Sequence, residues 1–197
     1  MVYRTNRRDV LSALLVILLT LAALLGGYLL RRSVEGRTTT YTSPVGVAVS
    51  YPEGWSLDAS EAAGGVVRVR DQAASGFPTT LELRWVAVDP EADTSVVLAA
   101  VVNNLAGARA PRVGSYKVLN LDVNERIRNL PGGKVSFIYV SNPQGVFQQS
   151  LPVVVLGDDY LLRKEGRVYV FGLQAAEENR AQALKQFESF VESARLP

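Results

Sequence analysis

The stretch Thr79–Val88 reads TTLELRWVAV, with apolar residues at every second position through Leu81, Leu83, Trp85 and Ala87 and with Glu82 and Arg84 between the first three. Successive side chains of a β-strand point to opposite faces, so this alternation predicts a strand with one buried and one wetter face. Val66–Asp71, with the sequence VVRVRD, has the same period. Half-solvated strands are typical of antiparallel sheets, because parallel strands are usually apolar on both faces. The two stretches therefore predict an antiparallel sheet.

More strands are predicted on both sides of this stretch. Upstream, Val45, Val47 and Val49 alternate with small residues, and the run ends at a Pro–Gly turn before Trp55. Downstream, the sequence Leu130–Gly133 (LPGG) predicts a turn, and Lys164-Glu165-Gly166 predicts a hairpin. The downstream strands are predicted at 116–121, 125–129, 134–140, 152–156, 159–163 and 167–173.

Two helices are predicted in the same region. The first helix is predicted to be capped by Asp93, Thr94 or Ser95 and to end near Ala106, before Gly107. The interior of this helix is rich in Val, so a strand is the alternative. The second helix covers roughly Ala176 to Ala194. Its apolar stripe should pack on the sheet, which makes the fold class α+β. The stripe consists of Leu184, Phe187, Phe190, Val191 and Ala194.

Three segments carry a resemblance to the PsbP family and its wider superfamily: Val45–Trp55 (VGVAVSYPEGW), Lys164–Leu173 (KEGRVYVFGL) and Phe187–Ala194 (FESFVESA). The region that resembles the family is roughly 40–197. The resemblance implies an antiparallel β-sheet flanked by helices, an α-β-α sandwich. Plant members are extrinsic lumenal subunits of photosystem II that help to retain Ca²⁺ and Cl⁻, and bacterial relatives are often exported. No functional residue of the family is carried over to this chain.

The segment Val10–Leu30 is the strongest single signal in the sequence. It reads VLSALLVILLTLAALLGGYLL, 21 residues without a charge. A helix of that length, at about 1.5 Å per residue, crosses the roughly 30 Å hydrocarbon core of a bilayer. Arg7 and Arg8 flank it on one side, and Arg31 and Arg32 on the other. A signal peptide has a shorter apolar core and a cleavage site, so an uncleaved transmembrane helix is predicted.

The predicted organisation is a tail (1–9), a transmembrane helix (10–30), a linker (31–40) and a PsbP-like domain (41–197). Positive charges are balanced across the span, so they do not set its orientation. A short tail before a single span is the usual signal-anchor arrangement. It favours a cytoplasmic N-terminus and a C-terminal domain on the periplasmic or extracellular side, with membrane lipid in contact with the span.

Small residues recur every four positions in the predicted span. Ala22 and Gly26 form one pair, and Ala23 and Gly27 form the next. Small residues with this spacing let two membrane helices approach closely. One interpretation is a docking face for a helix of an integral membrane protein complex. The other is that Ala and Gly are simply common in such helices, and the sequence leaves both open.

Composition excludes several classes of function. The 197 residues include no Cys and no His. Disulfides, Cys or His metal sites, Ser-His-Asp triads and Cys nucleophiles are therefore impossible within this chain. Six of the 21 Lys and Arg and two of the 19 Asp and Glu precede residue 38, which leaves 15 positive and 17 negative side chains. Nucleic-acid binding needs a basic domain face, so nucleic acid is not a predicted partner.

Some residue groups with possible chemistry have simpler interpretations. Asp89, Glu91 and Asp93 resemble the start of a Ca²⁺ loop, but the later EF-hand positions do not match, so a loop leading into a helix cap is favoured. Ser115 and Lys117 are interpreted as surface residues, not as a catalytic dyad. Asp158-Asp159 is a paired carboxylate, but adjacent strand residues point to opposite faces, so a turn is favoured over a paired-carboxylate site. No catalytic, metal or cofactor residue is assigned.

The sequence therefore favours a membrane-anchored, non-catalytic accessory subunit of a larger membrane protein complex, photosynthetic or respiratory. Its folded domain is expected on the extracytoplasmic face. The alternative is a stand-alone membrane-tethered binding module for a small ligand or a component of the cell envelope. No enzyme activity and no cofactor are predicted.

Overall fold

The computed structural model describes residues 7–35, 37–60, 66–74, 76–141, 144–145, 148–149 and 151–197. The chain forms two compact units, Met1–Thr39 and Thr40–Pro197. The first unit contains the helix α1 (Arg7–Glu35), which includes the whole of the predicted span. The helix also continues to Glu35, where a linker was predicted.

The side chains of α1 that the structure describes are those of residues 13–29. Its large apolar side chains in this range are 56–69% exposed, and they lie all around the helix. Among the residues described with their side chains, which in α1 are 13–29, no helix is long and apolar enough to cross a membrane.

In the described residues, the second unit is built on a seven-stranded sheet, and this sheet is antiparallel, as the alternation predicted. In chain order its strands are β3 (Ser56–Ser60), β4 (Val66–Asp71), β5 (Thr79–Ala87), β6 (Gly114–Ile127), β7 (Leu130–Ser141), β10 (Val153–Lys164) and β11 (Arg167–Ala176). Across the sheet their order is β3-β4-β5-β11-β10-β7-β6. Each neighbouring pair is antiparallel.

Two small sheets accompany the large one. β1 (Thr38–Thr42) pairs with β2 (Ala48–Pro52), and β8 (Gln144–Gly145) pairs with β9 (Gln148–Gln149). Ala48 at the start of β2 also bridges to Arg195. This bridge ties the first part of the domain to the end of the chain.

The helix α2 (Thr94–Arg109) covers one side of the large sheet, and α3 (Arg180–Ser193) covers the other. We call these the α2 side and the α3 side. Asp93 caps α2, because its carboxylate accepts from the backbone N–H groups that follow. Two helices on opposite sides of one sheet make the predicted α-β-α sandwich. The residues that α2 buries are Val97, Leu98, Val101, Val102 and Leu105, and those of α3 are Ala183, Phe187, Phe190 and Val191.

The strands on one half of the sheet are longer than predicted. β6 is one continuous strand with three irregularities in its register, not two strands. β10 is likewise continuous, so Asp158 and Asp159 lie in its middle and the predicted turn there is wrong. The predicted turn at Gly132-Gly133 is also wrong, because the chain turns at Arg128 and Asn129, both with positive φ. In β6 the irregularities break the alternation, and so one continuous strand resembles two separate pieces.

The helix ends also differ from the prediction. α2 continues through Gly107 to Arg109, where a three-residue 3₁₀ helix, Ala110–Arg112, begins. Glycine inside a helix costs only about 1 kcal/mol, so it does not have to end one. α3 begins at Arg180 and not at Ala176, because pairing of β11 with β10 holds the chain in the sheet as far as Ala176.

Candidate functional site

A buried row of residues crosses the α2 side of the sheet. Glu82 on β5 lies opposite Gly172 on β11, and Gly172 lies opposite Asp159 on β10. The exposed fraction is 3% for Glu82 and 1% for Asp159. Removing a carboxylate from water costs several kcal/mol unless a cation and hydrogen bonds compensate. We call Glu82, Gly172 and Asp159 the buried acid row. Its two carboxylates, together with the cations that pair with them, form the polar centre of the domain.

Glu82 is held by two arginines from the neighbouring strand positions. Arg68 on β4 donates to Glu82 Oε2 from Nε at 2.9 Å and from Nη2 at 2.7 Å. Arg84 on β5 donates to Oε1 from Nε at 2.6 Å and also from Nη2. Burial alone would raise the pKa of Glu82, but the charges and hydrogen bonds of Arg84 and Arg68 outweigh it. The pKa of Glu82 is therefore held below its usual value, and the carboxylate is ionised at neutral pH.

Asp159 is held by Arg109, the last residue of α2. Arg109 donates from Nη2 to Asp159 Oδ1 at 3.0 Å and from Nη1 to Oδ2, which is a bidentate ion pair. The guanidinium also lies over the ring of Phe137, 4.5 Å from its centre. Complete burial raises the pKa of Asp159, while the charge and hydrogen bonds of Arg109 oppose the shift. A Cβ on Gly172 would lie 3.0 Å from Asp159 Oδ1, so a glycine there leaves room for the pair.

The arginines of this region are only partly covered. The exposed fraction of the side chain is 32% for Arg68, 26% for Arg84 and 15% for Arg109. Arg70 lies two residues beyond Arg68 on β4, and therefore on the same side of the sheet. The buried acids are thus overlaid by cations that reach the surface. Such an arrangement can bind a carboxylate or phosphate group, since guanidinium groups recognise both.

Aromatic side chains lie beside the buried acid row on the same side. Tyr116 packs on Phe137 at 5.5 Å between ring centres, and Phe137 packs on Tyr139 at 6.3 Å. The Tyr139 hydroxyl donates to Gln174 Oε1 at 2.8 Å. Burial raises the pKa of Tyr139 to about 12, so it remains a neutral donor. Because of these contacts the aromatic side chains pack closely against one another and do not line an open cleft.

The α3 side has a second polar group with incomplete hydrogen bonding. Ser136 Oγ donates to Asp158 Oδ1 at 2.7 Å. Arg180 Nη2 lies 2.8 Å from Asp158 Oδ2, but the atoms are not aligned for a hydrogen bond. Among the described residues, Asp158 Oδ2, Asn179 Nδ2 and Arg180 Nη1 are buried without a hydrogen-bond partner. Asn179 and Thr79 also line a depression of about 290 Å³ between β5 and the start of α3.

The acidic loop before α2 is occupied by an arginine. Arg163 donates to the carbonyl oxygens of Asp89 at 3.0 Å, Pro90 at 2.8 Å and Ala92 at 2.7 Å. A carbonyl that accepts from a guanidinium is not free to bind a cation. Together with the capping role of Asp93, this agrees with the loop-and-cap interpretation. In the described part of the chain, no group of three acidic residues is placed to hold a metal ion.

Other sequence candidates are separated by the fold. Ser115 and Lys117 are both exposed on β6, as expected of surface residues. Asp158 and Asp159 do point to opposite sides of the sheet, one toward Arg180 and the other toward Arg109. They are adjacent in sequence but belong to different polar groups.

The small residues of the predicted span all lie in α1. Ala22, Ala23 and Gly27 are exposed, and Gly26 is half-exposed. Nothing lies within 4 Å of a Cβ placed on Gly26 or Gly27. The use of these residues as a docking face for another helix stays a prediction.

No protein-family model and no curated protein matches the chain. A solved structure similar to it is the solution structure of cyanobacterial PsbP (CyanoP) from Synechocystis sp. PCC 6803, with a TM-score of 0.56 at 12% sequence identity. The match covers 81% of this chain and 92% of that chain. The domain has a PsbP-like fold. At this identity the likeness concerns the fold alone, which the sequence resemblance had implied.

Two further solved structures match the chain with lower TM-scores. One is the Ran-binding protein Mog1p of Saccharomyces cerevisiae, with a TM-score of 0.46 and 12% identity over 81% of this chain and 95% of that chain. The other is LpqN of Mycobacterium tuberculosis, described as involved in cell envelope biogenesis, with a TM-score of 0.42 and 12% identity over 80% of this chain and 89% of that chain.

Sequence reasoning did not find the buried acid row. Glu82 is an acid in an alternating strand, and the same pattern fits a solvent-facing position. Arg109 is 50 residues from Asp159, so only the three-dimensional fold brings them together. One signal was present in the sequence. The strand β5 carries Glu82 and Arg84 on one side, and a polar side that faces a helix must be paired internally.

Proposed function

We propose that the chain is a single-pass membrane protein whose PsbP-like domain lies on the extracytoplasmic side as a non-catalytic accessory subunit of a larger membrane complex. The observation that carries the proposal is the apolar character of α1 on all sides. An apolar helix exposed all around is stable only when lipid or protein surrounds it. The charge-free run Val10–Leu30 has the length that a bilayer requires.

The domain itself supports contact with a partner. Glu82 and Asp159 are fully engaged by arginines, so neither is available as a general acid or base. Arg68 and Arg84 reach the surface above them and are suited to an acidic surface of a neighbouring subunit. The PsbP-like fold makes a photosynthetic or respiratory complex the first class of partner to examine.

Charges placed in the middle of α1 are expected to release the protein from membranes. Each charged residue near the centre of a span costs about 2.5–3.5 kcal/mol on insertion scales. Leu18→Arg combined with Leu21→Arg should move the full chain from the membrane pellet to the aqueous fraction after an alkaline wash. The matched control, Leu18→Ala with Leu21→Ala, should stay in the pellet. Wild-type protein that begins after Arg32 and is found in the aqueous fraction would contradict the anchor.

The accessory role needs a separate measurement. Native membranes can be extracted with a mild detergent, and the complexes can be separated by size. The chain should migrate with a complex much larger than its own 21.4 kDa and should be identified with the same partner proteins in repeated preparations. Migration as a free chain beside intact complexes would contradict the role without touching the anchor.

A second candidate function, a tethered module that binds a small ligand, is favoured by the group at the start of α3. Asn179 Nδ2 and Arg180 Nη1 are buried donors without an acceptor among the described residues, and Asn179 lines the depression of about 290 Å³. An acceptor-rich ligand such as a small carboxylate would satisfy donors of this kind. Such a ligand should raise the Tm of the full chain in detergent. It should do so less for Asn179→Ala than for the exposed control Asn103→Ala, and no shift across a broad carboxylate panel would exclude the module.

A further inference from the structure

The outer edge of β6 is a long, exposed strand edge. β6 is the last strand of the large sheet, and in the described part of the chain no strand pairs with its outer side. It has 14 residues, and ten of them are exposed. Val118, Leu119 and Leu121 have exposed fractions of 36%, 54% and 45%. Free backbone donors and acceptors beside exposed apolar side chains form a template for another strand.

Val118 and Leu121, two apolar residues near the middle of β6, share one side of the sheet. Val118 lies opposite Phe137 of β7, and Leu121 lies opposite Val135. Val135 packs with α2, and Phe137 lies under Arg109 of α2, so both positions are on the α2 side. Tyr116 and Val123, which flank this pair, pack against the same two apolar clusters of that side.

Lys117 and Asp122, two charged residues near the middle of β6, share the other side. Lys117 lies opposite Ile138, and Asp122 lies opposite Lys134. Lys134 lies over the ring of Tyr160, which itself packs on Phe187 of α3. Lys117 and Asp122 are both exposed, so their charges are accessible on the α3 side.

A register irregularity between Val118 and Asn120 makes this arrangement symmetric. In a regular strand, residues an odd number apart point to opposite sides, but the extra residue lets Val118 and Leu121 point to the same one. In the sequence YKVLNLDV, the classes of residues 116–118 and 121–123 therefore mirror each other around the midpoint of Leu119 and Asn120. On each side of the midpoint the residues are apolar, charged and apolar in turn. The two charged residues, Lys117 and Asp122, have opposite sign.

We infer that a second copy of this chain pairs with β6 edge to edge and antiparallel. In this register Lys117 lies opposite Asp122 of the second copy, and Val118 lies opposite Leu121 of the second copy. The two residues of each of these opposed pairs then lie on the same side of the joined sheet. A shift by one residue would set α2-side residues against α3-side residues, so the side-chain pattern disfavours that shift.

The two-fold symmetry of such a pair doubles each contact. The Lys–Asp pair forms twice and the Val–Leu pair forms twice, because both copies use the same patch. Opposite charges directly across an antiparallel pair stabilise it, and like charges destabilise it. This inference goes beyond the proposed accessory role, since it concerns the domain surface and does not require that a third protein be present.

The first test reverses the charges in the full chain in detergent. Lys117→Asp places Asp opposite Asp, and Asp122→Lys places Lys opposite Lys, so each single variant should weaken the dimer on the order of tenfold in Kd, measured by sedimentation. The double variant Lys117→Asp/Asp122→Lys restores opposite charges and should return to within about twofold of the wild type. Lys185→Asp, an exposed reversal on α3, is the control and should leave the dimer unchanged.

The second test examines the register itself. The chain has no Cys, so single cysteine variants are free of background disulfides. Co-expressed copies of Val118→Cys and Leu121→Cys should form a disulfide-linked heterodimer under mild oxidation. Either variant alone should not, because equivalent positions lie about three residues apart along the two strands, beyond the reach of a disulfide.

Three outcomes would overturn the inference. The wild-type full chain remains monomeric at every concentration reached, which would leave β6 open to a strand from a different protein. A dimer forms but is insensitive to both single charge reversals and is lost on Gly26→Leu, which would place the contact in α1. The cysteines cross-link only as identical copies, which would contradict the register. None of these outcomes bears on whether the chain is an accessory subunit.

Discussion

Replacing Arg109 by Met is expected to lower the free energy of unfolding by about 3–5 kcal/mol at neutral pH. Met keeps much of the apolar stem but removes the cation that compensates for Asp159, whose exposed fraction is 1%. The carboxylate would remain buried without its bidentate donor, and it could not move into solvent because β10 is an inner strand of the sheet. Removing one member of a buried ion pair costs far more than the pair itself contributes.

The loss of unfolding free energy caused by Arg109→Met should depend on pH, and the direction of that dependence follows from the pKa of Asp159. Burial already raises the pKa of Asp159 in the folded protein, and loss of Arg109 removes the charge that opposes the shift. A group whose pKa is higher in the folded state binds a proton more readily there, so protonation favours the folded state. The destabilisation by Arg109→Met should therefore be full above the folded pKa of Asp159 and should decrease as the pH falls through it.

Unfolding can be followed in the full chain by Trp fluorescence. The chain has two Trp residues, Trp55 and Trp85, and both lie in the PsbP-like domain, so a denaturant titration in detergent reports on that domain. The double variant Arg109→Met/Asp159→Asn removes both charges and should recover most of the loss. Arg112→Met, an exposed arginine three residues away, is the matched control. Equal losses for Arg109→Met and Arg112→Met would contradict the role of the ion pair.

The layers of the fold could be predicted because they depend on local sequence. Val66–Asp71 was predicted as a strand with its observed bounds, since its alternation has no interruption. The stripe of α3 was predicted because Phe187, Phe190 and Val191 follow the helical period, and all three are buried. The spacing of apolar residues along the sequence indicates which face of a strand or helix is buried, so periodicity is sufficient to predict that face.

The polar centre could not be predicted because it depends on register. Glu82, Gly172 and Asp159 form one row only after three strands are aligned, and a shift of one residue would separate them. Asp158 and Asp159 illustrate the difficulty, because two acids in a row suggest a turn by propensity. Here tertiary pairing with Arg180 and Arg109 allows both to occupy the middle of a strand.

Gly132→Ala is expected to lower the free energy of unfolding by about 3 kcal/mol, near the upper end for an overpacked interior position. The sequence LPGG suggested a turn, but Gly132 is buried in β7 beside β10. A Cβ at this position would lie inside the contact distance of the Leu161 carbonyl oxygen. That oxygen belongs to the backbone of an inner strand, so it cannot turn away as a flexible side chain would. The strands β7 and β10 would have to separate, and their pairing is among the most extensive in the sheet.

The same substitution at Gly107 is the matched control, and its expected effect has the opposite sign. Gly107 lies in α2 with nothing within 4 Å of an added Cβ, and it is exposed. Alanine should therefore stabilise the domain there by about 0.5–1 kcal/mol, because it favours the helix and restricts the unfolded chain. Both variants should be compared by Trp fluorescence in the same denaturant. Equal small effects at the two positions would show that β7 and β10 tolerate a Cβ between them, and would contradict the close approach that the register requires.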